Sequence, residues 1–395
     1  MNFTLTEEQR HFIESVKKFA ERHLSEDSLS RAHTTEYPRD VAKILADQGL
    51  MGITLTETSG GQGGNLMDAV LAIEQIANIC PRSADVIQAG NFGAIRTLAE
   101  FGSEFLKEKY LSSLLKGDTL IAIGMTEPEA GSAVTDLKTS AVAKEDGYVV
   151  NGTKVFATNS LQADVILAYV RFNPGINGIG SVLIDKDADG VSFGNPVKYL
   201  GGDEWAQIYF ENVNVPKKNV LLKEGGFKKQ ISGFNVERIG NAARSLGLGQ
   251  LAFSVGKSHA VSRRQFDRNL CEFQGLQWKF ADVKLELDSA QLLLYRAAVN
   301  ADKDLPSAEE TAMAKLACNR AGFNASNLAL QVLGGTGFSQ DGIVEYCFRR
   351  TRGWMIAGGS LEMMQNKMQS LLQNVIKDNQ ALQPFLSSFS EFNDQ

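Results

Sequence analysis

"DGYVVNGTKVFATNS", residues 146–160, is the stretch that decides the fold. It holds two hairpin-type turn dipeptides, Asp146-Gly147 and Asn151-Gly152,. Working outward, "DVILAYVRF" (164–172), "IGSVLIDKD" (179–187), "GVSFGNPV" (190–197) and "AQIYFENVNVP" (206–216) are short β-rich runs separated by Gly, Pro, Asn or Asp,. Residues 119–228 are therefore predicted to form a middle antiparallel β-barrel or sandwich.

On both sides the texture is helical. Thr6 and Gln9 make a capping box, and Phe12, Val16 and Phe19 follow at helical spacing,. Pro38 opens another helix through Val41, Ile44 and Leu45, and further helical runs cover about 66–80 and 94–116. Residues 1–118 thus read as an N-terminal all-helical domain. From about 229 to about 378 the helical period returns. "VKLELDSAQLLLYRAAV" (283–299) and "AEETAMAKLACNRAGFNASNLALQVLG" (308–334) are long enough for a bundle, giving a C-terminal helical domain over 229–395 that ends in a short frayed tail,. The class is α+β multidomain. The order is not a Rossmann pattern, and neither G-x-G-x-x-G nor a P-loop signature is present,.

Composition narrows the function. A chain of 395 residues with 43% hydrophobic and 22% charged content is globular in type,. A net charge of −6 argues against a nucleic-acid partner,. No uninterrupted apolar run approaches the ~18 residues of a membrane span, and the N-terminus carries no targeting pattern,. The expected location is cytoplasmic. Cys80, Cys271, Cys318 and Cys347 read as buried thiols in a reducing compartment,. His11, His23, His33 and His259 show no metal-ligand spacing, and His11 and His23 fit structural or solvated positions on the first helix,.

Four motifs remain. In "GMTEPEAGSAVTDLKT" (124–139) a tight loop offers backbone N–H groups and hydroxyls that can cradle a polar ring edge or a phosphate,. In "KVFATNS" (154–160) a hydroxyl at Thr158 can bond a flat heterocycle on whose face Phe156 packs,. In "SRRQFDRNLCEFQGLQWKFAD" (262–282) Arg263 precedes Phe266 by three residues and suits a pyrophosphate,. "QVLGGTGFSQD" (331–341) ends a helix with glycines that allow close backbone approach,. Taken singly, each also fits a bland role: a turn, a strand end, a surface arginine, a helix cap.

In this order and spacing the four motifs resemble the acyl-CoA dehydrogenase family over about residues 3–378. The resemblance implies an N-terminal helical domain, a middle β domain and a C-terminal four-helix bundle. It also implies FAD between the middle and C-terminal domains, in a homotetramer whose neighbours share the cofactor site. By motif, Met125 and Thr126 line the flavin pyrimidine edge. Ser132 faces the flavin phosphate or the substrate pantetheine, and Phe156 and Thr158 flank the isoalloxazine. Arg263, Gln331 and Gly335 match residues that reach the cofactor of an adjacent subunit, with Phe266, Gly334 and Ser360 also on the cofactor side. Asn235, Arg238, Ala357 and Gly359 fall on the substrate side. The family's common Gly-Ser-Asp is here Gly131-Ser132-Ala133.

The family reaction removes two hydrogens from a thioester. A carboxylate takes the α-proton, a hydride leaves the β-carbon for flavin N5, and two hydrogen bonds hold the thioester carbonyl. In many relatives the base is a Glu in a Tyr-Glu-Gly-Thr-Ser loop. Aligned without gaps from Val344, that loop is Ala357-Gly358-Gly359-Ser360-Leu361, and the Glu position is Gly358. Its backbone N–H remains as a donor. A minority of the family, including the isovaleryl-CoA and long-chain enzymes, carries the base on another helix just before an arginine. Glu237, followed by Arg238, matches it. Glu362 and Asp85 are rivals for the role. Small residues at Ala357 and Gly358 suggest room for a branched or cyclic acyl group. The implied activity is α,β-dehydrogenation of an acyl-CoA, with an electron-transfer flavoprotein as acceptor. Oxidation of a carrier-protein thioester, the reverse enoyl-CoA reduction and a non-catalytic subunit stay open as alternatives.

Overall fold

The computed structural model describes residues 4–301 and 305–378, with side chains through 370. The expected frayed tail lies outside these residues. Among the described residues no helix is long and apolar enough to cross a membrane, and no group of His, Cys, Asp or Glu is arranged to hold a metal ion.

The chain opens on helix Glu7–His23, where Thr6 and Gln9 form the capping box foreseen from sequence. Val16 is buried on its inner face, with Phe12 and Phe19 half-buried against the core. Helices Arg39–Asp47 and Leu66–Ile79 follow, the second almost wholly buried. Helix Ser83–Asn91, unforeseen in sequence, comes next. The helical run expected over 94–116 is broken. It consists of Gly93–Phe101, Glu104–Leu106, a π turn Lys107–Leu111, and Ser112–Leu115.

The middle part is an eight-stranded sheet. In spatial order run Val220–Leu222, Ile179–Asp185, Val165–Arg171, Ser140–Lys144, Gly147–Lys154, Ile208–Pro216 and Val191–Phe193. Most pairs are antiparallel. Ile121–Gly124, however, lies parallel to Val165–Arg171, and a single parallel pair joins Ser140 to Arg171. The apolar run 165–170 is buried on both faces, which explains its lack of alternation,. Asp146-Gly147 does sit at a hairpin, where Lys144 pairs with Gly147. Asn151-Gly152 does not turn the chain. It makes a bulge inside strand Gly147–Lys154, where the register shifts between Val150 and Gly152,. The Asn151 Oδ1 accepts from Asn212 N at 2.8 Å, so the dipeptide is spent on a cross-strand clasp.

Helix returns at Phe227 and runs to Ser262. Gln274–Val299, Ala308–Leu333, Ile343–Trp354 and Leu361–Asp378 complete the C-terminal part. One hydrophobic core joins this part to the first helices, since Val236, Ile239 and Leu246 pack with Ile73, Ile87 and Phe92. Cys80, Cys318 and Cys347 are buried, Cys271 is half-buried, and all four are free thiols.

Candidate active site

Glu237 sits on the 227–262 helix, where the 83–91 helix and the start of helix Gly93–Phe101 meet it. Gln88 Nε2 donates to Glu237 Oε1. Gly93 stands beside the other oxygen: its φ is +60°, and a Cβ there would lie 3.1 Å from Glu237 Oε2. A side chain there would be strained by the positive φ and would crowd the carboxylate, so glycine suits this position,. Burial pushes the Glu237 carboxyl up to about 7, against the pull of Arg244, Gln88 and Arg238,. A carboxyl so placed exchanges a proton near neutrality, as a general base requires.

Arg238 ties this helix to the glycine loop. Its Nε donates to Gly358 O at 2.9 Å, and its Nη1 donates to Asn235 Oδ1 at 2.9 Å. Gly358 and Gly359 both have positive φ, +73° and +97°. Beneath them lies Lys315, fully buried, whose Nζ donates to Trp354 O at 3.1 Å. A Cβ at Gly358 would meet Lys315 Cε at 3.8 Å. Burial pulls the Lys315 amine down to about 7, and Arg238 and Arg244 add to the effect. The structure thus brings Glu237, Arg238, Asn235, Gly358 and Gly359 together. Asn235 is buried, and its amide already meets Arg238, Lys367 and Pro306 O. Ala357 is exposed, and its N–H bonds to Gly353 O.

The two rival carboxylates have other surroundings. Glu362 is exposed in the first turn of helix Leu361–Asp378, and its own backbone N–H and the Ser360 hydroxyl hold it below the usual carboxylate range. The Ser360 hydroxyl also accepts from Met363 N at 3.4 Å. Asp85 is clamped by three guanidiniums. Burial pushes it up, and Arg350, Arg244 and Arg82 more than reverse that push.

At the sheet, Phe156 adopts φ +57° and exposes 56% of its surface. Trp205 backs it at a ring distance of 4.5 Å, and Tyr199 stacks on Trp205 at 5.9 Å. Thr158 is exposed two residues along. The loop bearing Met125 and Thr126 is braced from below. Buried Lys154 donates to Met125 O at 3.3 Å and to Glu127 Oε1 at 2.7 Å, and Glu127 also accepts from the backbone of Lys138 and Thr139. Burial pulls the Lys154 amine down to about 8 against the attraction of Glu127. A rigid loop edge next to an exposed aromatic face and a hydroxyl fits a flat, polar-edged ring system such as a flavin. Ser132 is exposed beyond this loop, between Gly131 and Ala133.

The other predicted cofactor residues look outward. Arg263 and Phe266 lie on an exposed hairpin, Phe266 being 88% exposed with φ +51°. Gln331, Gly334 and Gly335 are exposed at the end of helix Ala308–Leu333. A Cβ on Gly334 or Gly335 would meet no atom within 4 Å, so the backbone there is open to a ligand. Gln88, Gly93, Arg244 and Lys315 were not singled out from sequence as site residues. They carry no motif; Arg244 follows Glu237 by two turns on the same helix, and the packing of distant segments brings Gln88, Gly93 and Lys315 to this place.

The sequence matches the N-terminal, middle and C-terminal domains described as acyl-CoA dehydrogenase over residues 6–118, 122–213 and 224–372. It is 34% identical over 368 residues to the short-chain-specific acyl-CoA dehydrogenase of Clostridium acetobutylicum, covering 92% of this chain and 97% of that one. The fold is similar to butyryl-CoA dehydrogenase from Megasphaera elsdenii, with a TM-score of 0.88, 29% identity, and 94% of this chain and 100% of that one covered. It is also similar to the FAD complex of PigA, with a TM-score of 0.89, 26% identity, and 94% and 99% covered.

Proposed function

The chain belongs to the acyl-CoA dehydrogenase family, and from that premise we propose that Glu237 is the base of an FAD-dependent acyl-CoA dehydrogenase. The carrying observation is the Glu237 carboxyl itself, raised to about 7 and set one residue before the arginine that holds Gly358. Glu237 takes the proton from the thioester α-carbon. The Gly358 N–H donates to the thioester carbonyl and stabilises the charge that develops there. Arg238 holds the Gly358 carbonyl and so keeps that loop in register with the base. Bound FAD supplies the acceptor for the hydride leaving the β-carbon. Met125, Thr126, Phe156 and Thr158 would hold its ring, and Ser132 would face its phosphate or the pantetheine. Small Ala357 and Gly358 leave space for a wide acyl group beside the base.

The outward-facing residues support self-association. Arg263, Phe266, Gln331, Gly334 and Gly335 serve a neighbouring copy's cofactor in this reading, with Ser360 at the loop edge. Helix Gln274–Val299 adds an exposed apolar stripe, Trp278, Leu285, Leu292 and Val299, spaced by seven residues as a helix–helix seam requires,. A homotetramer, an electron-transfer flavoprotein as acceptor and a cytoplasmic location complete the proposal.

The test is Glu237→Gln. The purified variant should remain yellow with bound FAD and lose about a thousandfold or more in turnover. Near-normal turnover would reject Glu237 as the base.

A further inference from the structure

Helix Ile343–Trp354 ends directly before the glycine loop, and its last hydrogen bonds do not close in the regular way. Ala357 N donates to Gly353 O at 3.1 Å, the ordinary step from residue i to i−4,. Met355 still has helical backbone, with φ −64° and ψ −18°. The next step of the same ladder would carry the Gly358 N–H to Trp354 O. That step is missing. Among the described residues the Gly358 N–H has no partner, and no backbone N–H donates to Trp354 O.

Trp354 O is taken from outside the helix instead. Lys315, on helix Ala308–Leu333, donates to it from Nζ at 3.1 Å. A carbonyl at a buried helix end needs a donor, and either the next N–H of the chain or a side chain supplies it. Lys315 has no solvent-accessible surface left. Among the described residues no carboxylate is in ion-pair contact with it, and the charged groups that act on it are the cations Arg238 and Arg244. An amine in such surroundings is costly to bury unless it is hydrogen-bonded, and Trp354 O is the acceptor it has,. Charged or neutral, a lysine amine keeps an N–H for that bond. Its stem also runs under the loop, where a Cβ built on Gly358 would meet Lys315 Cε at 3.8 Å. Arg238 Nε meanwhile occupies Gly358 O at 2.9 Å. The loop is thus fixed by one cationic side chain at its root and by another at Gly358 O, and the Gly358 N–H between them is unspent.

We infer that Lys315 is a positioning residue of the reaction: by capping Trp354 O it stops the helix one bond short and keeps the Gly358 N–H free to donate to the thioester carbonyl. The inference rests on the role proposed above for that N–H. Without the amine, the Gly358 N–H closes on Trp354 O, the helix gains one bond, and the thioester carbonyl loses a donor.

The test uses the FAD-loaded enzyme and a CoA thioester with sulfur in place of the β-methylene. This analogue has no β C–H to give up as hydride. Transfer of its α-proton to Glu237 leaves the electron pair on the enolate, which shows as a long-wavelength absorption band against oxidised flavin. Wild-type enzyme should give the band. In Lys315→Met the equilibrium constant for the proton transfer should fall about tenfold or more, while the denaturation midpoint changes little. Lys315→Arg, which keeps a donor, should restore part of the band. A lysine of purely structural importance gives the reverse split, a lowered midpoint with an unchanged band, and that result overturns the inference. If Lys315→Met does not retain FAD, amide exchange across residues 354–361 of the wild-type enzyme decides. The Gly358 N–H should exchange without protection in the free enzyme and become protected when the analogue binds. Protection already present in the free enzyme overturns the inference. A wild-type band that Glu237→Gln abolishes and Lys315→Met leaves intact removes this inference alone. If wild-type enzyme gives no band, the inference falls together with the reading of Glu237 beneath it.

Discussion

Glu237 and Asp85 are two carboxylates on facing helices, within reach of the same arginine, yet their environments drive them in opposite directions. Glu237 accepts one side-chain hydrogen bond, from Gln88, and burial wins, so the group rises to about 7. Asp85 receives three guanidiniums in ion-pair contact, which overcome burial and hold it ionised. Proximity to a cation is therefore not what separates the proposed base from a structural anion. The number of donors in direct contact decides it. Asp85 is locked by the contacts that make it stable, and Glu237 is left free to take a proton.

That contrast can be broken from either side. The largest effect is expected at Asp85. Asp85→Asn leaves buried guanidiniums short of a counter-charge and should cost about 3 kcal/mol of stability, read by denaturant titration. A loss no greater than that of an ordinary surface change would mean the cluster is not the anchor described here. Next comes Gly93→Ala. The new Cβ would press on Glu237 Oε2 and sit at φ +60°, so turnover should fall about tenfold while the bound-flavin spectrum persists. Unchanged turnover would show that the carboxylate is not held at this position. The smallest effect belongs to Gln88→Leu. Removing the one side-chain donor to Glu237 makes its environment less like that of Asp85, and the apparent pKa of activity should climb by roughly half to one unit. A fall instead of a rise would reverse the assignment of what balances burial at the base.

Much of this molecule is legible from its residues, and the remainder is hidden for a physical reason. Helical spacing and a capping box mark the first helix, and turn dipeptides and β-rich runs mark the sheet. A local signal misleads where it has two outlets. Asn151-Gly152 has the chemistry of a turn, but the Asn151 side chain found Asn212 across the ladder and the glycine became a bulge. Helix Ser83–Asn91 escaped because it has no side-chain cap, follows Pro81 and is buried on nearly every face, leaving no polar–apolar period to detect. Glu237 and Gly358 are candidates that the family motif points to. It does not point to their setting, because Gln88 lies 149 positions from Glu237 in sequence and Arg350 lies 265 from Asp85. Nothing in a local window records which distant helices will face each other.

The central assertion is that a carboxyl on the 227–262 helix, with its affinity for protons raised by burial, opens the reaction. The rate of flavin reduction in a single turnover, followed by stopped flow from about pH 5 to about pH 8.5, tests it most directly. Because the base works only when deprotonated, the rate should rise about tenfold per pH unit on the acid side and level off above an apparent pKa near 7. A profile that is flat through this range, or that falls as pH rises toward 7, would contradict the account.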